Sequence, residues 1–314
     1  MNSRKMWGEK PYHSLDYEMK HRFGEKVYKI SLDGGMTCPN RDGTLDTRGC
    51  IFCSGNGSGD FAAPRCSSVT EQITQGIEGI KKRKQVGHKF IAYFQSFTNT
   101  YAPVSYLEPL YKEALAHPDV VMLSIATRPD CLPSEVLELL EECNRIKPVI
   151  VELGLQTSRE STAQFIRRGY PLSVYDKAIS QLKALGIEVV THVIAGLPGE
   201  NSRDFFNTLE HVAVCHSDGI KIQLLHILNG TDLAALYESG QCPVLTQNEY
   251  IDLVLQAIAL LPPEMTIHRL TGDGPKELLL APLWSSRKRE VLNEIHKQLK
   301  QQDIWQGKEY RNHE

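Results

Sequence analysis

Short runs of β-branched and aromatic residues alternate along the chain with longer segments in which apolar residues return every three or four positions. The short runs fall at 26–32, 89–95, 120–126, 148–155, 187–194 and 219–225, and their nearly continuous hydrophobicity marks strands buried on both faces. Helical periods occupy 68–85, 104–116, 133–143, 158–167 with 173–185, and 202–214. Start signals agree in several places: Pro133-Ser134-Glu135 precedes one apolar-periodic run and Asn201-Ser202 another. Strand then helix, repeated, is the mark of a parallel sheet, because parallel neighbours need a crossover between them. Six such units fall short of the eight that close a full barrel. The pattern therefore predicts an α/β fold, a partial (β/α)6 TIM-type barrel with its ligand face at the carboxyl ends of the strands. Residues 1–24 read as an N-terminal arm, 25–230 as the barrel core, and 231–314 as an α-rich C-terminal extension packed on the barrel. That extension carries helical periods at 231–239, 247–261 and 287–302 and one extended stretch near 265–270.

One connection breaks the rhythm. Residues 33–65, between the first strand and its helix, are rich in Gly, Asn, Asp and Cys, and a loop that long inside a compact domain is usually functional. It holds Cys38, Cys50 and Cys53, with eleven residues between the first pair and two between the second. No apolar run approaches a membrane span and the first thirty residues lack a signal core, so the expected location is cytoplasmic with no membrane partner. There the eight cysteines stay reduced and thiolates are available to metal. Soft sulfur ligands select zinc or an iron–sulfur cluster. Structural zinc needs a fourth protein ligand, for which Cys66 is the candidate; a four-iron cluster on three cysteines leaves one iron open to a small molecule. Cys131, Cys143, Cys215 and Cys242 stand apart and read mainly as packing residues.

The segments Phe23-Gly24-Glu25-Lys26-Val27, Leu32-Asp33-Gly34-Gly35, Thr37-Cys38-Pro39-Asn40-Arg41-Asp42-Gly43 and Gly49-Cys50-Ile51-Phe52-Cys53 resemble one family. It is the radical S-adenosylmethionine (SAM) superfamily, in its elongator-catalytic-subunit-like branch, and there the YtqA/YhcC-type, MnmL-like subgroup. The resemblance implies a 4Fe-4S cluster on Cys38, Cys50 and Cys53 that cleaves SAM and releases a 5′-deoxyadenosyl radical. It also implies a SAM site. Gln95 would receive the methionine amine, Arg128 would end the third strand beside it, Glu152 and Gln156 would contact ribose or methionine, and Arg168 the carboxylate. Ile194 and Gly196 would pack the adenine. His192 is a secondary candidate facing substrate. Glu152, charged within a barrel strand, requires a partner in any case, and a buried pair with an arginine is the competing expectation.

For substrate, the resemblance implies a wobble uridine of tRNA, with 5-carboxymethylaminomethyl-(2-thio)uridine converted to 5-aminomethyl-(2-thio)uridine. The partners would be an electron donor such as flavodoxin or ferredoxin and a downstream methyltransferase. The acetyltransferase domain of elongator subunits has no counterpart before Glu314, so acetyl transfer is not expected. A net charge of −3 confines any RNA contact to local patches: Lys20 and Arg22, Lys81-Lys82-Arg83-Lys84, and Arg287-Lys288-Arg289 with Lys297 and Lys300. Tyr101, Trp284 and Trp305 are the possible stacking residues. Two alternatives remain: a radical SAM enzyme acting on a small metabolite or porphyrin-like substrate, and a zinc-stabilised nucleic-acid-binding module.

Overall fold

Apolar runs too short and too branched for helices become the strands β1 (Tyr28–Leu32), β2 (Phe90–Phe94), β3 (Val120–Thr127), β4 (Val149–Gln156), β5 (Glu188–Ala195), β6 (Gly219–Leu224), β7 (Ile227–Leu228), β8 (Thr266–Arg269) and β9 (Leu279–Ala281). The computed structural model describes residues 4–55, 57, 65–272 and 274–311; of the long first loop, 56 and 58–64 lie outside the described residues. One sheet runs β1-β2-β3-β4-β5-β6-β8, every neighbour parallel, and β7 and β9 form a separate antiparallel ribbon. The sheet thus has seven strands where the sequence pattern predicts six. The seventh is the stretch near 265–270 that the pattern assigns to the C-terminal extension. At four residues, Thr-Ile-His-Arg, and after a connection holding two helices, it shows neither the length nor the spacing of the earlier units.

The helices are α1 (Leu15–Phe23), α2 (Val69–Lys81), α3 (Val104–Ala116), α4 (Ser134–Ile146), α5 (Glu160–Phe165), α6 (Leu172–Ala184), α7 (Ser202–Val214), α8 (Asp232–Glu238), α9 (Gln247–Leu260) and α10 (Lys288–Gln301). Their starts are chemically marked. Ser68 caps α2 through the Glu71 amide, and Asn201 with Asp204 and Thr246 with Glu249 form reciprocal capping boxes on α7 and α9. The largest apolar cluster fills the space between these helices and the outer face of the sheet.

The inner face is layered, because residues two apart on a strand point the same way. At the lower end Ile91, Met122, Ile150 and Val190 pack against Met19 of α1, so what reads in sequence as an arm is a helix that plugs the barrel floor. Two residues further along, the same strands present Tyr93, Ser124, Glu152 and His192, a polar middle layer. Two further still come Gln95, Ala126, Gly154 and Ile194, which line the cavity beneath the cysteine loop.

Candidate active site

The middle layer converges on one carboxylate. Glu152, whose side chain is fully buried, accepts from Lys29 Nζ at 2.5 Å and Ser124 Oγ at 2.8 Å on one oxygen. Its other oxygen accepts from Tyr93 OH at 2.9 Å, His192 Nε2 at 2.7 Å and Lys221 Nζ. Each of the strands β1 to β6 therefore sends one side chain to a single point, which only a strongly curled sheet allows. Burial alone would push the Glu152 carboxyl up, but Lys221, Lys29 and the His192 hydrogen bond outweigh it and hold the group well below the usual carboxylate range. The partner that Glu152 requires is thus a pair of lysines, not an arginine. With five donors on two oxygens it has little capacity left for a SAM hydroxyl or amine.

Burial, helped by Lys221, lowers the His192 pKa to about 4 and keeps the ring neutral near pH 7. The neutral ring then donates from Nε2 to Glu152, and its Nδ1 accepts from Gln223 Nε2 at 3.3 Å. A consequence for stability follows from the sign of the shift. Between about pH 6.5, typical of an unfolded histidine, and 4, the unfolded chain binds a proton that the folded ring refuses, so stability should fall as pH falls through that window. His268, lowered well below its ordinary value by burial and Lys29, adds to the same slope. His192→Gln should flatten but not remove this acid limb in urea midpoints measured from pH 7 to 4; an unchanged slope would show that His192 is protonated in the fold.

Above this layer, Cys38, Cys50 and Cys53 line a cavity of about 290 Å3 together with Gln95, Arg128, Glu152, Gln156, Arg168 and Ile194. The loop that carries them is pinned. Asn40 Nδ2 donates to Arg167 O at 2.7 Å and to Cys50 Sγ at 3.5 Å, and Arg41 donates to Cys53 O at 3.2 Å and Ser54 O at 2.5 Å. Ile51 is buried in a second apolar cluster; its backbone N–H donates to Ile166 O and its carbonyl accepts from Leu233 N–H. The hydrogen bond between Cys50 and Cys53 pushes the Cys50 thiol down to about 6 and the Cys53 thiol up.

A structural zinc site would need a fourth protein ligand beside these three thiols. Cys66, the candidate fourth zinc ligand, does not line the cavity; it donates to Gln75 Oε1 at 3.4 Å.

The remaining predicted residues divide. Arg168 is buried and spends its guanidinium on the carbonyls of Tyr170 (2.9 Å), Thr157 (2.7 Å) and Leu155 (3.3 Å), with Glu160 at 3.5 Å. It braces the turn after α5 even where it touches the cavity. Arg128 makes a two-pronged pair with Asp130 at 2.9 and 2.7 Å, and both guanidiniums flank the Tyr170 ring. Gln95 Oε1 accepts from Ser31 Oγ at 3.0 Å. Gln156 has a left-handed backbone, φ 64°, at a register shift between β4 and β5, which turns its amide back onto Leu155 and Gly154 carbonyls. Gly196 is not among the residues that line the cavity; at φ 84°, a side chain there would meet Leu245. The sequence reading missed Lys29, Tyr93, Lys221, Gln223 and Arg269. A lone lysine inside Tyr-Lys-Ile-Ser-Leu and inside Gly-Ile-Lys-Ile-Gln-Leu is the signal that could have found two of them.

The charged and aromatic surface features sort by which end of the barrel they occupy. Lys81, Lys82, Arg83 and Lys84 are exposed but follow the lower end of α2, where Lys84 Nζ lies 5.6 Å over the ring of Tyr28, the first residue of β1. Lys20 and Arg22 sit on α1 at the same end, paired with Asp16 and Glu188. Arg287 and Arg289 are exposed and follow β9, the ribbon beyond the upper end of β6. Of the stacking candidates, Tyr101 OH bonds Thr44 of the cysteine loop at 2.7 Å, and Lys308 covers Trp305. Trp284 is committed to packing, against Tyr250 and with Nε1 donating to Leu245 O at 3.0 Å. Among the described residues a further convergent donor set, Asp176, His211 and Cys215, lies between α6 and α7 on the outer helical layer.

A curled parallel half-barrel with three cysteines of its first βα loop at the mouth defines a class, the radical SAM enzymes. Residues 47–212 match the Radical SAM superfamily and 217–301 the Radical_SAM C-terminal domain, and the chain belongs to that superfamily. It is 47% identical over 300 residues to "Uncharacterized protein YtqA" of Bacillus subtilis, covering 96% of this chain and 93% of that one. It is 35% identical over 288 residues to "Protein YhcC" of Escherichia coli, covering 91% and 92%. In fold it matches the solved archaeal Methanocaldococcus infernus Elp3 with a TM-score of 0.68 at 18% identity, over 89% of this chain and 64% of the archaeal one. The superfamily's cofactors, a 4Fe-4S cluster and SAM, are therefore this enzyme's cofactors. No helix among the described residues is long and apolar enough to cross a membrane.

Proposed function

We propose that Cys38, Cys50 and Cys53 hold the cluster, that SAM lies in the upper layer among Gln95, Arg128, Gln156 and Ile194, and that the substrate is a modified wobble uridine of tRNA in the cytoplasm. The observation that carries the cofactor placement is that the three cysteines and the inward residues of the strands share one cavity. The tRNA reading rests on the elongator-type resemblance of the cysteine loop. When bound, the cofactors supply a 5′-deoxyadenosyl radical able to take hydrogen from an unactivated carbon.

The chain's own part is to position and to exclude water. The hub around Glu152 fixes the floor, Tyr93 stays protonated because burial and Glu152 push its pKa well up, and the pinned cysteine loop covers the mouth. The reaction is conversion of the 5-carboxymethylaminomethyl group to 5-aminomethyl. One hydrogen atom leaves the glycine-derived methylene for the radical, one electron passes to a one-electron acceptor, and one proton is lost from nitrogen, giving an imine. Water adds to the imine carbon and the C–N bond breaks, leaving the aminomethyl uridine and glyoxylate. A flavodoxin or ferredoxin would supply reducing electrons, and a methyltransferase would take the free amine. Of the basic segments, Arg287 and Arg289, which follow the ribbon beyond β6, would be the ones to meet RNA.

Nucleoside mass spectrometry of tRNA from a deletion strain tests this. The strain should accumulate the carboxymethylaminomethyl nucleoside and lack the aminomethyl-derived one; unchanged wobble nucleosides would overturn the reading in favour of a small-molecule substrate.

A further inference from the structure

Lys221 and Arg269 are register partners on the neighbouring strands β6 and β8, and both line the cavity. Two cations side by side repel, and in a half-buried wall water screens them poorly. Glu152 is the only acidic residue lining the cavity among the described residues, and its single negative charge already answers both Lys221 and Lys29. Arg269 forms no ion pair with any carboxylate among the described residues. Other arginines of the wall are committed: Arg128 to Asp130, Arg168 to backbone carbonyls and Glu160. Among the described residues this corner therefore holds three cationic side chains against one anion, and Arg269 is the one with no carboxylate partner.

We propose that the corner walled by Lys221 and Arg269 is a subsite for an anionic oxygen group of the substrate, a carboxylate or a phosphate. A guanidinium fork matches either group with two parallel hydrogen bonds, and the neighbouring ammonium adds charge without demanding direction. Resting on the function proposed above, the anion is the terminal carboxylate of the carboxymethylaminomethyl group. The product, which lacks that carboxylate, loses this hold and leaves. Lys221 supports the same picture: burial lowers its pKa to about 7, and an incoming anion would favour its charged form.

Equilibrium binding of anticodon stem–loops to the cluster-loaded enzyme with SAM but no reductant tests the subsite without turnover. The stem–loops carry carboxymethylaminomethyl-, aminomethyl- or unmodified uridine, and the proteins are wild type, Arg269→Gln and Arg269→Lys. Wild type should prefer the carboxylate-bearing loop over the aminomethyl loop by about tenfold, the scale of one charge-assisted contact. Arg269→Gln should lose that preference and Arg269→Lys keep part of it, while the unmodified loop binds all three proteins alike. Full preference in Arg269→Gln, or equal weakening on every loop, overturns the subsite. Inorganic phosphate, titrated into the same proteins, separates the two proposals. If wild type shows no preference among loops but binds phosphate through Arg269, the subsite stands and the wobble-uridine reading falls. Neither preference nor Arg269-dependent phosphate binding overturns the subsite.

Discussion

Alanine at Cys38, Cys50 or Cys53, each alone, should abolish both the iron–sulfur absorbance of anaerobically purified protein and its cleavage of SAM, while Cys66→Ala should leave both intact. The cluster must keep one iron open for SAM, so on the proposed assignment three thiolates would be the whole protein ligand set and none could be spared. Cys66 points to Gln75 and does not line the cavity, so it is not positioned to replace a lost ligand. The loop itself should survive these changes, although not because it lies free on the surface. Asn40, Arg41 and Ile51 hold it by hydrogen bonds to backbone carbonyls and by burial, and the sulfur atoms add only weak contacts: Asn40 to Cys50, Cys50 to Arg167 O at 3.6 Å, and Cys50 with Cys53. Thermal unfolding of cluster-free wild type and variants should therefore nearly coincide. Cluster iron retained in any of the three variants, or lost in Cys66→Ala, would mean that the ligand set is wrong.

Six of the seven sheet strands were legible because each is a branched, apolar run followed by a helical period, and two of the helices, α3 and α7, begin and end where periodicity and start signals put them. β8 was legible only as an extended stretch near 265–270 and not as a sheet strand, since four half-polar residues carry no period. α1 was not, since it buries only Met19 and its remaining positions look like a charged arm. Of the site, the cysteines were visible in one loop, and Glu152 announced itself as a charge in a barrel strand. What answers Glu152 was hidden, because Lys29 and Lys221 lie on strands three and two removed from β4 in sheet order and meet it only through curvature. Arg168 was visible as a candidate and lines the cavity, but its partners were not legible. Its guanidinium bonds the carbonyls of Tyr170, Thr157 and Leu155, tying the turn after α5 to the end of β4, and nothing in the local sequence reveals how those donors are spent.

Replacing Glu152 by glutamine should be the most destabilising conservative change in the chain, on the order of 3–5 kcal/mol in urea unfolding, the cost of removing one partner from a buried ion cluster. The amide keeps the shape, and its single oxygen can still accept from either Ser124 or Tyr93, which bond different oxygens of Glu152, so the loss is chiefly electrostatic and not steric. It leaves Lys29 and Lys221 facing each other and Arg269 with no anion among them. The pH dependence separates this explanation from a packing defect. Lys221 has a folded pKa near 7, set by burial against the pull of Glu152, and without Glu152 that value must drop further. Between the new, lower value and 7 the unfolded variant holds a Lys221 proton that its folded state has released, so through this group the variant gains stability with rising pH, a gain that Lys221 does not give wild type below pH 7. Glu152 itself stays ionised in the wild-type fold throughout that window, its pKa being held well below the usual range by the lysines despite burial. The deficit of Glu152→Gln should therefore be larger at pH 5 than at pH 7.5. Replacing the whole group, Lys29→Met with Glu152→Leu and Lys221→Met, should recover most of the loss, because an apolar set of similar volume leaves no charge unanswered. A deficit independent of pH, or one that the triple replacement deepens, would show that the hub acts through shape and not charge.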